Sequence, residues 1–202
     1  MKIIAKDISN RINEMDYQKV LESIRNIDSE RHDRICSIKS EANRMRLFTA
    51  GMLITEMCDR LGINQPVIVR DQHGKPYIEG HEDVHFNLSH SGDYVALAYS
   101  DAPVGIDIQE VRNVPDSFAR RILNESEFDS YDISDTKTVC RIWTIKEAYS
   151  KLIGLGLGYD FRNCIIDTDR AVISDTTGVH PEASYRTHKI ASSVFLTYTR
   201  YI

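Results

Sequence analysis

A chain of 202 residues, 42% hydrophobic and 27% charged, can bury a sizeable core as one large domain or two small ones. That composition excludes a disordered chain, a collagen-like repeat and a coiled coil, and a formal net charge of -5 argues against a protein whose main task is holding nucleic acid. The four cysteines, Cys36, Cys58, Cys140 and Cys164, are scattered without a CxxC pair, which fits reduced structural thiols better than a zinc site or a disulfide framework.

In chain order, "MKIIAKDISN" opens with a short strand over Lys2 to Lys6 and turns polar too early for a secretory leader. No apolar run reaches membrane-spanning length, so a cytoplasmic protein with no membrane partner is expected. Ser9 is placed to cap a helix carrying Ile12, Met15, Leu21 and Ile24. A second helical region runs from about Ser29 to Leu61, with Arg46 at the entrance of its apolar part and Gly62 as its stop.

The period then changes. "PVIVRD" reads as a strand and "QHGKPYI" as a turn. "VHFNL" and "YVALAYS" read as strands joined by "SHSGD", and "VGIDIQEV" follows as a neighbouring strand. Pro115 to Asp135 is polar and irregular, with a short helical piece around Ser117 to Leu123. A strong helix over Thr138 to Ile153 ends in "GLGLG", and "NCIIDT", "ASYRTHKIA" and "SVFLTYTRYI" are the closing strands. The order helix, strands, helix, strands predicts an α+β fold of two halves of about 100 residues each, without a sequence repeat between them.

Three clusters could carry chemistry. Asp107 and Gln109 stand two apart in a strand, so both leave the same face. Trp143, Glu147 and Lys151 stand four apart and form one helical stripe. As an isolated pair, Glu147 and Lys151 would be a surface ion pair worth a few tenths of a kcal/mol. Together Asp107, Gln109 and Glu147 offer hard oxygen ligands of the kind magnesium takes, sparingly and alongside substrate phosphates. The third cluster is "FNLSHSGDY", where Ser89, His90 and Ser91 at a turn could edge a phosphate; "SHSG" is equally a good hairpin turn. Lys75 in "HGKP" could reach an anion from its loop.

Four stretches in order, "GKP", "FNLSHSG", "VGIDIQ" and "WTIKEAYSK", resemble the signature of the 4′-phosphopantetheinyl transferases, in particular the two-half type that activates peptide and polyketide synthases. The resemblance covers about residues 27 to 158. It implies two similar α+β halves related by a pseudo-twofold, each a small, mainly antiparallel sheet against a long helix. Residues 1–103 would make the coenzyme A phosphate and adenine contacts, and 104–202 would carry the magnesium site and the catalytic helix.

The implied reaction moves the phosphopantetheine arm of coenzyme A onto a serine of an acyl or peptidyl carrier protein, releasing adenosine 3′,5′-bisphosphate. Asp107, Gln109 and Glu147 match the Mg²⁺ ligands, with Mn²⁺ the alternative ion. Lys151 matches the lysine on the coenzyme A pyrophosphate, and Glu147 is the candidate base for the serine. Ser89 and His90 match positions at the coenzyme's phosphates, and Lys75 and Pro76 the loop beside the adenine and 3′-phosphate. Arg46 matches the arginine on the 3′-phosphate, with Arg44 its rival, and Arg31 and Arg34 could replace lysines found before it. Many relatives carry Glu where this chain has Gln109. That departure leaves a non-catalytic relative, binding coenzyme A or a carrier protein, as the alternative. The two-half architecture implies a monomer, and the polar segment with Phe118, Arg120, Arg121 and Ile122 is the candidate carrier surface.

Overall fold

Val95, Ala96, Leu97 and Ala98 are consecutive and fully buried, the signature of a strand covered on both faces. They belong to β5 (Tyr94–Ser100), the middle strand of an antiparallel sheet ordered β1-β5-β4, with β1 at Lys2–Asp7 and β4 at His85–Ser91. The structure is a computed structural model that describes residues 1–9 and 13–202, and it divides into two compact units, Met1–Ala102 and Pro103–Ile202.

In the first unit, α3 (Glu41–Leu61) lays Leu53, Ile54 and Met57 onto Val95 and Leu97 of β5, with Ile78 and Phe86 completing the core. Gly62 ends α3 at φ 69°, a conformation that only a residue without Cβ adopts freely. The expected long helical region is two helices. α2 (Ser29–Ser37) ends at Ile38, whose backbone is extended, and Ser40 starts α3 by accepting from the Asn43 amide. A serine side chain that satisfies an otherwise orphaned amide favours a fresh start over a continuous helix. α1 (Glu14–Ile27) is capped by Asn13 rather than Ser9: Asn13 Oδ1 accepts from the Asp16 amide at 3.0 Å. Ile12, expected on this helix, lies outside the described residues.

β2 (Ile68–Arg70) and β3 (Pro76–Ile78) pair as a separate small hairpin. The β4–β5 hairpin turns at Gly92–Asp93. Ser89, His90 and Ser91, expected in the turn, are therefore strand residues opposite Ala96, Val95 and Tyr94.

The second unit is a five-stranded antiparallel sheet ordered β6-β10-β9-β8-β7. It is built from β6 (Val104–Glu110), β7 (Cys164–Asp167), β8 (Val172–Asp175), β9 (Ala183–Ala191) and β10 (Val194–Tyr201). β6 pairs with β10 and not with β5, which corrects the expectation of sequential neighbours. β8 was not anticipated. Helix α5 (Thr136–Leu152), capped by the Asp135 carboxylate on the amides of Lys137 and Thr138, crosses β6 and β10. Its Ile142, Ile145, Tyr149 and Leu152 meet Cys164, Ile166, Ile173 and Tyr185 in the core. A two-turn helix, α4 (Asp116–Ile122), packs Ala119 and Ile122 into the same cluster.

Each unit is thus an antiparallel sheet with one long helix across it, an α+β fold. All four cysteines are free thiols, with Cys36 exposed and the others buried. Among the described residues, no helix is long and apolar enough to cross a membrane.

Candidate active site

Gly105 sets how closely helix and sheet approach. A Cβ built on it would collide with the Ala148 carbonyl oxygen and lie 2.7 Å from Thr199 Oγ1 and 2.8 Å from Leu152 N. The Thr199 hydroxyl also donates to the Ala148 carbonyl at 3.0 Å, tying β10 to α5. Strand alternation puts Asp107 and Gln109 on the face of Gly105, toward α5. Both are buried, with 2% and 8% of their surface exposed.

Here the helical stripe meets the strand face. Lys151 Nζ donates to Asp107 Oδ1 at 2.7 Å and lies 3.3 Å from Glu147 Oε1. Burial raises the Glu147 carboxyl to about 7, the Asp107 charge pushes the same way, and Lys151 opposes both. For Lys151, burial lowers the ammonium's pKa, but the two carboxylates outweigh it and the net shift is upward. One ammonium is therefore shared by two carboxylates with little solvent to help. A lone surface pair would be worth little; this one is screened far less.

Gln109 shares the face, but its amide nitrogen donates to the Glu110 carbonyl at 2.7 Å. Asp107, Glu147 and the Gln109 carbonyl oxygen are hard donors that fit a magnesium-like ion in type, few enough to leave positions for water or phosphate. Among the described residues, no group of three or more His, Cys, Asp or Glu is placed to hold a metal ion. Lys146 points the other way, into the core.

In the first unit, Arg46 Nε donates to the Gly92 carbonyl at 2.7 Å and its Nη1 to Asn43 Oδ1 at 2.7 Å. The arginine is thereby latched to the hairpin turn directly after Ser89–His90–Ser91. Its rival Arg44 lines a different feature, a cavity of about 670 Å³ with Tyr17, Glu41 and Asp93. Ser89 is buried and His90 exposed; as successive strand residues they point to opposite faces, not along one turn edge as expected. Lys75 sits in a loop ordered by Asp71, whose carboxylate accepts the amides of His73 and Lys75 at 2.8 and 2.9 Å. Burial lowers the Lys75 ammonium's pKa against the pull of Asp71. Pro76 opens β3 opposite Arg70. Arg31 is buried and bonded through Nε to Asp28 at 3.0 Å, a structural partner in place of a phosphate.

The residue missed by sequence reasoning is Glu127, the buried partner of Lys146. Its signal was the Asn124-x-x-Glu127 capping box, hidden in a segment that reads as irregular.

Two family models match the chain. The 4′-phosphopantetheinyl transferase superfamily model covers residues 103–198, and the N-terminal model of 4′-phosphopantetheinyl transferases covers 13–102. Similar curated proteins include the 4′-phosphopantetheinyl transferase psf-1 of Bacillus pumilus, 36% identical over 103 residues, 49% of this chain and 44% of that protein. The 4′-phosphopantetheinyl transferase gsp of Aneurinibacillus migulanus is 33% identical over 112 residues, 53% of this chain and 46% of that protein. The 4′-phosphopantetheinyl transferase Sfp of Bacillus subtilis (strain 168) is 34% identical over 90 residues, 43% and 40%. The chain thus spans less than half the length of these curated relatives. Among solved structures, the Thermotoga maritima holo-[acyl-carrier-protein] synthase aligns with TM-score 0.36 and 23% identity, over 48% of this chain and 61% of that one.

Proposed function

Because the chain belongs to the 4′-phosphopantetheinyl transferase superfamily, its two matched models together spanning residues 13–198, we propose that it transfers the 4′-phosphopantetheine arm of coenzyme A to a serine of an acyl or peptidyl carrier protein, releasing adenosine 3′,5′-bisphosphate. The observation that carries the proposal is the Asp107–Lys151–Glu147 contact, which joins two separate sequence motifs in one partly buried polar site.

The coenzyme is strongly anionic, and the reaction increases charge on the leaving bisphosphate. Lys151, on a flexible stem, supplies a charge-assisted bond to the pyrophosphate. Arg46, Lys75, Ser89 and His90 are the candidates to hold its phosphates, Ser89 and His90 from opposite faces of β4, and Pro76 borders the adenine. Asp107, Glu147 and the Gln109 carbonyl oxygen would hold Mg²⁺, or Mn²⁺ in its place, which when bound offsets charge on the pyrophosphate. Glu147 is the candidate base that takes the serine proton. Burial of Asp107 and Glu147 keeps bulk water from competing with the serine.

The carrier is proposed to dock in the second unit. There Phe118, Trp143 and Leu157 line a cavity of about 620 Å³ edged by Arg120, Arg121 and Arg162. An apolar floor with a basic rim suits an acidic, helical partner, the charges serving mainly encounter and register.

The test is the intact mass of a purified apo carrier protein after incubation with this protein, coenzyme A and Mg²⁺. The expected result is the gain of one phosphopantetheine arm, lost with chelator and in Asp107→Ala and Glu147→Ala. No gain with any of several carrier types, while coenzyme A still binds, would overturn the transferase reading in favour of the non-catalytic one.

A further inference from the structure

We propose that Lys151 is the resident counter-ion of the Asp107–Glu147 pair, and that a divalent cation enters this site only as the Lys151 ammonium leaves it. The inference rests on the transferase reading in two respects: that reading makes these carboxylates the metal-holding groups and gives Lys151 a substrate phosphate to meet.

The Lys151 ammonium takes one oxygen of each carboxylate at close range. Lys151 Nζ is 2.7 Å from Asp107 Oδ1 and 3.3 Å from Glu147 Oε1, and only 18%, 3% and 16% of the three side chains is exposed. A magnesium-sized ion sits about 2.1 Å from its carboxylate oxygens. Bound to the oxygens that Nζ now contacts, it would lie within roughly one more ion-pair distance of the ammonium. Two cations so close in a poorly hydrated site repel strongly. The ammonium rides on a four-carbon stem with rotatable bonds, so it can swing off while α5 stays fixed by Gly105 and Thr199.

The departing ammonium needs a new partner, and a phosphate oxygen of the substrate is one. Phosphate draws Lys151 off the carboxylates, and the incoming cation prevents its return. Metal and phosphate-bearing substrate therefore bind with positive coupling. Gln109 fits the scheme: a third carboxylate would add a further negative charge beside a single ammonium, and a neutral amide does not.

The test titrates Mn²⁺ into coenzyme-free protein and reads the free ion by electron paramagnetic resonance, so that no transfer activity is needed. Wild type, Lys151→Met, Lys151→Gln and the double variant Lys151→Met/Asp107→Asn are compared, and circular dichroism identifies the folded variants. The expected result is Mn²⁺ binding about tenfold tighter, or more, in either folded Lys151 variant than in wild type, lost again in the double variant. Binding equal to or weaker than wild type in a folded Lys151 variant, or no binding in any protein, overturns the exchange. Tighter binding that survives Asp107→Asn places the ion elsewhere, and overturns the exchange together with the metal assignment. Carrier modification is read separately, so the transferase reading can fail while the exchange stands, and the reverse.

Discussion

The Lys146 ammonium, fully buried, donates to Glu127 Oε2 at 2.5 Å and to the carbonyls of Cys164 and Phe161 at 2.7 and 3.2 Å. The other oxygen, Glu127 Oε1, accepts the Ile166 amide at 2.9 Å, and Oε2 also takes the Asn124 amide. One pair thus joins α5, β7 and the turn after α4, and fixes the rotation of α5 so that the next residue, Glu147, faces β6.

Removing one partner leaves an uncompensated buried charge. Lys146→Met is expected to destabilise the protein by about 3–5 kcal/mol, read as a lower denaturant midpoint at unchanged slope. Lys146→Met combined with Glu127→Leu should recover part of the loss, because the orphaned charge is gone. A double variant as unstable as the sum of its parts would show that the carbonyl contacts, and not the ion pair, hold this region.

Gly105→Ala tests the approach of β6 to α5. The added methyl meets the Ala148 carbonyl and Leu152 N, both backbone, so no side chain can swing away. The helix must retreat, at about 1–3 kcal/mol for overpacking, and the retreat also separates Lys151 from Asp107. The expected outcome is a lower melting temperature together with loss of carrier modification beyond what the unfolded fraction explains. Gly51, where the obstruction is the far end of the Ile24 side chain, is the milder comparison.

The two periodic signals were legible for a physical reason. Asp107 and Gln109 share a face because strands alternate, and Glu147 and Lys151 share a stripe because helices repeat every 3.6 residues; neither depends on distant chain. The pairing of β6 with β10 does, since nothing local in "VGIDIQ" distinguishes a partner ninety or so residues on from the strand just before it. Ser89–His90–Ser91 misled because turn-forming Ser89, Ser91, Gly92 and Asp93 crowd five positions and conceal where a two-residue turn begins, and Gly92–Asp93 took it. β8, only four residues long, is too short to show alternation. Lys146 lay in plain view within "WTIKEAYSK", but its burial is set by Glu127, nineteen residues away.

Acid stability should report on Asp175. Burial would raise this carboxyl, but hydrogen bonds from the Thr177 hydroxyl, the His180 amide and the Tyr159 hydroxyl outweigh it and hold the group at about 2, against an ordinary 3.8. A lowered folded pKa means that the stabilisation is complete above the unfolded value and is lost as pH falls through the folded one. The window is pH 4 to 2, and the contribution is about 2 kcal/mol. Wild type should lose that much across the window from this group, and Asp175→Asn should start lower at pH 7 and flatten the decline. Parallel acid-unfolding curves for the two proteins would contradict the assignment.

Arg120→Glu with Arg121→Glu tests the docking surface. Both side chains are exposed, Arg120 resting over the Phe128 ring at 5.7 Å, so folding should be little affected. Reversing two rim charges is expected to raise the KM for an acidic carrier about tenfold or more, mainly through a slower encounter that converges with wild type at high salt. Coenzyme A affinity should be unchanged. An unaltered carrier KM at low salt would move docking off this face.

Gln109→Glu separates the metal-free from the metal-bound state by sign. The amide nitrogen now donates to the Glu110 carbonyl at 2.7 Å; a carboxylate there would set acceptor against acceptor, so the side chain must turn away. It would also add a third negative charge to a site holding one ammonium. Without divalent cation the variant should melt lower than wild type, by a few degrees for about 1 kcal/mol. With Mn²⁺ or Mg²⁺ the order should reverse, since a carboxylate is a stronger ligand for a hard cation than an amide oxygen and ligand binding stabilises the folded state. The crossing of melting temperatures with added metal is the observable. If the variant is less stable by the same margin with and without the ion, residue 109 has no part in holding it.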